Sequence, residues 1–361
     1  MAGRRLSLLH LLFLVPPSGR ASAFAFAPGG VSRATARTGL AIPPASRSRA
    51  SAALLLSAAG GGDLSSAAAA ADQRKRSRRL EAGYAASAVA WTATVAVVGG
   101  AVVKWVRAGT ATSASLGLGA CVVASRCLPL VLAGVGRDAA RDDRLAGDAY
   151  RRLNAALLCH SLLILAAAAT GRGRRPNFAA LPAGASLLTA VSAFKGWWYG
   201  ARGWDTPKSG AVGAMAADAV GLLSDSLAGC FSKVSNIAAA AYLAVTYFAS
   251  YLTWVRVKMA IAAAGDPSAV AAQLLVMSTY LLVASMAYTL KDAADRNNLE
   301  PLEVETFLRL NLALTLVFGS LSFYWNAIGA GTRMVATSAA TAALAAMNGF
   351  LSLGKGNGGK E

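Results

Sequence analysis

Two aspartates carry the sharpest chemical possibility in this chain. Asp218 and Asp225 stand seven residues apart, a spacing that puts both carboxylates on one face of a helix. Gly213, Ala217, Gly221 and Gly229 fall at four-residue steps with Asp225, and Val212, Leu223, Leu227, Phe231 and Val234 fall on the opposite face. A stripe of small residues lets helices approach closely, and a carboxylate inside a bilayer faces a partner or a water-filled cavity because its desolvation is costly. One reading is therefore an intramembrane polar site, proton- or cation-coupled, in which Asp218 and Asp225 are opposed by Arg126, Lys195 or Arg309. The other is an amphipathic helix over 211–234 lying at the interface with both acids in water, which Ser224, Ser226 and Lys233 suit.

The remaining polar residues have plainer readings. Arg126 has apolar residues on both sides, so it is expected near mid-span in an ion pair, under a carbonyl cap or against a ligand. Lys195 and Arg309 lie near the ends of apolar runs, from which long side chains snorkel to water. His160, beside Cys159 in an apolar run, reads as a hydrogen-bonded core histidine, with a pigment or haem ligand as the alternative. Glu300, Glu303 and Glu305 read as a solvated connector. Cys121, Cys127, Cys159 and Cys230 are too few and too deep in apolar segments for a disulfide framework or a zinc site, and read as packing residues. The other histidine, His10, lies in the N-terminal leader, which leaves too few for a bis-histidine haem or metal centre. No GxxxxGK[ST], HExxH, GxSxG or CxxC motif occurs. The expectation is a non-enzyme with no catalytic residue, cofactor or metal.

The elements that hold these residues are membrane spans. Of 361 residues, 55% are hydrophobic and 14% charged, with a mean hydropathy of +0.48; soluble domains carry about 25% charged residues. The apolar content comes in blocks of roughly 20 residues, enough for a helix to cross the hydrocarbon. The fold class is all-α, a polytopic transmembrane helical bundle of about seven or eight spans. The candidates are Ala82–Val106, Thr112–Val135, Leu153–Thr170, Phe178–Tyr199, Ala211–Val234, Asn236–Val257, Val270–Leu290, Phe307–Ile328 and Met334–Leu353. Whether 211–234 and 334–353 cross is left open. Trp105, Trp197, Trp198, Trp204, Trp254 and Trp325 fall within a turn or two of a span end, where indole prefers to sit. Trp91, in mid-span, is the exception. Phe194–Asp205 reads as an aromatic collar at one membrane face.

The net charge of +18 divides evenly. Residues 1–81 hold 12 Lys/Arg and 3 Asp/Glu, and residues 82–361 hold 23 and 14. Half the excess thus belongs to the N-terminal segment and the rest to short loops beside spans, where it sets topology rather than binding nucleic acid. The basic run 73–81 and the loop 137–152 are expected on one side, Lys104, Arg107 and the turn 171–176 on the other.

The N-terminal segment reads as an address. Arg4 and Arg5 precede a short apolar run, Leu6–Val15, and Ala21-Ser22-Ala23 forms a signal-cleavage pattern that would expose Phe24. From Phe24 to Gly62 there is no acidic residue, only Arg33, Arg37, Arg47 and Arg49 among many Ser, Thr and Ala. Ala21-Ser-Ala-Phe-Ala-Phe-Ala-Pro28 resembles the ASAFAP-type bipartite presequence of algae with complex plastids of red-algal origin, departing by one inserted Phe-Ala pair. The resemblance covers about the first 60 residues and implies entry into the endoplasmic reticulum followed by import into the plastid, with Phe24 as the key aromatic. The expected organisation is a signal peptide (1–23), a disordered basic transit segment (24–80), a helical membrane domain (81–353) and a flexible tail (354–361). The expected location is a plastid membrane, thylakoid or envelope, with the endoplasmic reticulum or plasma membrane as the alternative. The expected partners are the lipid bilayer and, through small-residue helix faces, other copies or other membrane proteins. A non-catalytic membrane-organising or assembly role is the first functional expectation. A small-solute or ion-coupled carrier or channel is the second, and a pigment- or lipid-linked enzyme the third. A cavity lined by Arg126, Asp218 and Asp225 would favour the carrier; a solid core with both acids facing outward would sink it.

Overall fold

Helices form where the apolar blocks lie, and several begin or end at residues suited to the task. The computed structural model describes residues 64–109, 111–171, 176–202, 211–231, 234–295 and 304–356. The signal-cleavage pair Ala23 and Phe24, the rest of the leader to 63, the turn residues 172–175, the end of the collar (203–205), Glu300, Glu303 and the tail from 357 lie outside them. Among the described residues there are nine helices and no strand: α1 Leu64–Arg107, α2 Ser113–Arg141, α3 Asp148–Thr170, α4 Pro176–Arg202, α5 Ala211–Cys230, α6 Ile237–Ala262, α7 Pro267–Asp295, α8 Val304–Ala327 and α9 Thr332–Gly356. Thr112 and Ser115 form a capping box at the start of α2, and the Asn236 side chain accepts from the Ala239 N–H at the start of α6. Pro267 opens α7, where its missing N–H costs nothing, behind an Asp266 carboxylate that accepts from the Ser268 N–H at 2.9 Å.

Seven of these helices are long and apolar enough to cross a membrane: α1 from Ala71, α2, α3, α6, α7, α8, and α9 through Leu351. The protein is a polytopic, all-α membrane bundle. α1 begins at Leu64, before the expected domain boundary at 81, so residues 64–80 are helical. The alanine run 67–71 explains the extension, since alanine has the highest helix propensity. By contact density the described chain from Arg76 onward forms one unit, and the helical residues 64–75 belong to another.

Contacts between helices give the direction of each. Ser77 donates to the Ala140 carbonyl, and Gly119 lies against Val102, so α1 and α2 run antiparallel. This places the basic run and the loop after α2 at one end, as the charge pattern implies. Trp91 meets Thr189 and Gly83 meets Ser192, so α4 also runs against α1. His160 meets Ser278 and Arg152 meets Asp292, making α3 and α7 antiparallel. Arg309 with Asp138 sets α8 against α2, and Gly349 with Asn311 sets α9 against α8. One end of the bundle therefore gathers the starts of α3, α6 and α8 with the ends of α2, α4, α7 and α9.

That parity decides α5. α4 finishes at this end, where Gly200 abuts the Leu145 carbonyl, and α6 starts there, where Asn236 donates to the Ala294 carbonyl at 2.7 Å. A helix whose two ends connect to the same face does not cross. α5 lies over the ends of α3 and α7, and its last turn reaches down α6 as far as Tyr247, whose hydroxyl donates to the Cys230 carbonyl at 2.6 Å. The buried core beneath runs through Tyr84, Leu128, Leu132, Leu157, Leu282, Met286, Leu290, Leu310 and Leu314. The outer faces stay apolar at Val89, Leu187, Tyr251 and Phe350, as expected of surfaces solvated by lipid.

Candidate functional site

The charged residues collect under α5. Arg151 and Arg152 come from the first turn of α3, and Lys291, Asp292 and Asp295 from the last turn of α7. These positions carry charge because they are where both helices emerge from the apolar layer. Arg151 bridges Asp148 on its own helix and Asp218 on α5, and Asp218 also accepts from Trp197 Nε1 at 2.6 Å. Arg152 pairs with Asp292 at 3.0 Å, and Lys291 with Asp295 at 2.7 Å. The Tyr288 ring lies between the two cations, 4.9 Å from the Arg152 guanidinium and 5.9 Å from the Lys291 ammonium, close enough for cation–π attraction.

The last turns of α5 are held by side chains from other helices. Carbonyls at a helix C-terminus lack intrahelical donors. Here Lys291 Nζ donates to the Gly229 carbonyl of the last turn at 3.0 Å, and one turn earlier the Tyr288 hydroxyl donates to the Asp225 carbonyl at 3.1 Å. Between α5 and the helix ends is a cavity of about 390 Å³, lined among others by Asp148, Arg152, Asp225, Tyr288, Lys291 and Asp295. The Asp225 side chain has no ion-pair partner among the described residues. Counting Arg151 and Asp218, five aspartates here face three cations. Comparison with protein-family models, with curated proteins and with solved structures finds no match. The chemistry of the cavity therefore rests on these residues alone.

Deeper in the bundle the polar groups are of another kind. Trp91, Arg126, His160, Thr189 and Ser278 each lie near the middle of their helix. Trp91 is fully buried and donates from Nε1 to Thr189 at 2.9 Å, which explains the tryptophan that sits away from the interface. His160 is fully buried with Nδ1 3.0 Å from the Ser278 carbonyl. A carbonyl only accepts, so Nδ1 carries the proton. His160 is thus the hydrogen-bonded core histidine and faces no lipid groove. Towards the far end of α6, Arg256 is 2% exposed and donates to Gln273 Oε1 at 3.2 Å.

The residues expected to form one intramembrane site are dispersed. Asp218 meets Arg151 and Trp197, not Arg126, Lys195 or Arg309. Arg309 pairs with Asp138 at 2.5 Å and also with Glu305. Lys195 is exposed, and Arg126 lies in mid-bundle near His160. Asp225 lines the cavity while Arg126 does not. The expected opposition failed because α5 packs against α3, α4 and α7, whereas Arg126 sits at the middle of α2. Sequence reasoning assigned no role to Arg151 and Arg152, which fell in the loop 137–152 counted only for its charge, or to Arg256, which sat beside interfacial Trp254 and Lys258. Trp254 and Lys258 are four apart and share a face, with the ammonium 5.3 Å from the ring; Arg256, between them, must point the opposite way. That spacing was a readable signal.

Proposed function

We propose that this chain is a non-catalytic carrier of a small polar solute in a plastid membrane, with the cavity beneath α5 as its entrance. The observation that carries this reading is the cavity at the bundle end, large enough for a small solute and lined by Asp225, a carboxylate with no ion-pair partner among the described residues, under a helix that does not cross. Ligand sites in bundles are concave and built from facing helices with a few placed polar groups. Plastid residence is supported by the ASAFAP-like leader, and by basic residues such as Arg76, Arg78, Arg79, Arg141 and Arg144 at the cavity end, which would then face the stroma.

Reconstitution tests it. The full chain in liposomes is assayed for uptake of a labelled panel: one small zwitterionic amino acid, one organic cation and one carboxylate. Accumulation of one member above empty liposomes, reduced at least about tenfold in Asp225→Asn, is the expected result. No accumulation of any member would refute the reading. A membrane-organising role is favoured by a different observation. The most apolar window of α1 is only 17% buried, the lowest among the seven helices apolar enough to cross, leaving a long face for another protein.

A further inference from the structure

Every arginine and lysine described at the start of α3, the end of α7 and the start of α8 has a carboxylate within ion-pairing distance: Arg151, Arg152, Lys291 and Arg309. Arg256 has none. Its side chain is packed between α6 and α7 in the half of the bundle away from the cavity. Its neighbours are neutral: Gln273 Oε1 at 3.2 Å, Met259 Sδ at 3.6 Å and the Tyr280 phenol, which lies against the guanidinium. Its Nε–H is buried and meets no acceptor. Arginine does not shed its proton to escape burial, so an uncompensated guanidinium in a dry interior is strongly destabilising unless a negative group joins it.

The hydrogen-bond inventory says what that group is. A guanidinium only donates, so the Gln273 carbonyl oxygen and the Tyr280 oxygen serve it as acceptors. Of these three residues the Arg256 Nε–H is a buried donor that meets no acceptor, and the Gln273 amide and the Tyr280 O–H are donor groups beside it. Positive charge with several convergent donors and no carboxylate is the recognition pattern for an anion. From these observations we infer that Arg256, Gln273 and Tyr280 form an anion-binding site between α6 and α7, taking a small inorganic anion or the phosphate of a lipid headgroup. Arg256 lies between Trp254 and Lys258, six residues before α6 ends at Ala262, within reach of either source. It stands independently of the carrier reading.

The test uses the full chain purified in neutral detergent with gluconate, a bulky weakly coordinating carboxylate, as the sole anion. Thermal unfolding is followed while gluconate is replaced by nitrate at constant ionic strength, and separately while phosphatidylglycerol is added. Binding to the folded state raises Tm with the logarithm of ligand concentration. A rise with nitrate identifies a free anion as the ligand, and a rise with phosphatidylglycerol alone identifies a headgroup. In either case Arg256→Gln should lose the response, and Tyr280→Phe or Gln273→Leu should weaken the apparent affinity at least about threefold while keeping the charge. The latter two variants carry the test if Arg256→Gln does not fold. No rise with either ligand, or an undiminished rise in both donor variants, would overturn the inference.

Discussion

Gly196→Ala is expected to damage this bundle more than its size suggests, because of what faces it. Tyr84 of α1 is fully buried, and its hydroxyl donates to Asn154 Oδ1 of α3 at 2.5 Å. Two glycines flank it. A Cβ at Gly136 would stand 2.6 Å from the ring, and one at Gly196 would overlap the hydroxyl oxygen itself. Alanine at 196 must therefore push the phenol off Asn154. An unpaired buried acceptor costs about 1–3 kcal/mol, and overpacking a filled core costs about 1–3 kcal/mol more, for a loss of about 2–6 kcal/mol together. Tyr84→Phe alone removes the hydrogen bond and should cost about 1–3 kcal/mol. The double variant supplies the decisive number. With the hydroxyl gone, the nearest ring atom lies 3.1 Å from the new methyl, a contact that a small shift relieves. The pair should therefore be less destabilised than the sum of the singles, by about 1–3 kcal/mol. Equilibrium unfolding in mixed dodecyl sulfate and neutral-detergent micelles measures all four proteins. A neutral Gly196→Ala, or a strictly additive double variant, would refute this account of how α1, α3 and α4 meet.

Three further expectations follow from particular contacts. Asp218→Asn keeps an acceptor for Trp197 and leaves Arg151 with Asp148, so it should loosen α5 by about 1 kcal/mol. Arg151→Gln strands Asp218, whose side chain is only 10% exposed, and should loosen it by about 2–3 kcal/mol. Hydrogen exchange of the amides in 213–230 reads both, and equal protection in wild type and Arg151→Gln would contradict the role of the Arg151–Asp218 pair in holding α5. In a background without the four native cysteines, Gly213→Cys, Ala228→Cys and Ser235→Cys should react with an impermeant thiol reagent from one side of sealed vesicles and Gly265→Cys from the other. Opposite labelling of 213 and 235 would mean that α5 crosses. A fluorescent fusion of residues 1–80 expressed in a diatom should enter the plastid, and Phe24→Ala should lose that import or stall around the organelle. Secretion of both versions would remove the plastid from the proposal.

The all-α membrane architecture was legible because it is written in composition and block length. Apolar runs of bilayer length with tryptophan at their ends form helices in lipid, since every backbone N–H and C=O must be satisfied within the segment. The shared side of the basic run and the loop after α2 was legible for the same reason, since it follows from counting crossings. Asp218 and Asp225 were correctly placed on one helix, but their seven-residue spacing says nothing about whether that helix crosses. The answer lay in where α4 ends and α6 begins, which the contacts of Gly200 and Asn236 reveal.

Partnership is where the one-dimensional pattern stops. Arg309 finds Asp138, Arg152 finds Asp292 and Tyr84 finds Asn154 across 171, 140 and 70 residues of chain. Each pairing depends on which helices are neighbours and in which register. Hydropathy cannot specify that, because in a bilayer every lipid-facing and helix-facing apolar side chain is equally at ease. The sequence by itself determined that this chain is a membrane bundle and which residues are too polar to sit in it unattended. Only the tertiary structure decided which of those residues found a countercharge, because ion pairing acts over a few ångströms and the chain brings those atoms together only on folding.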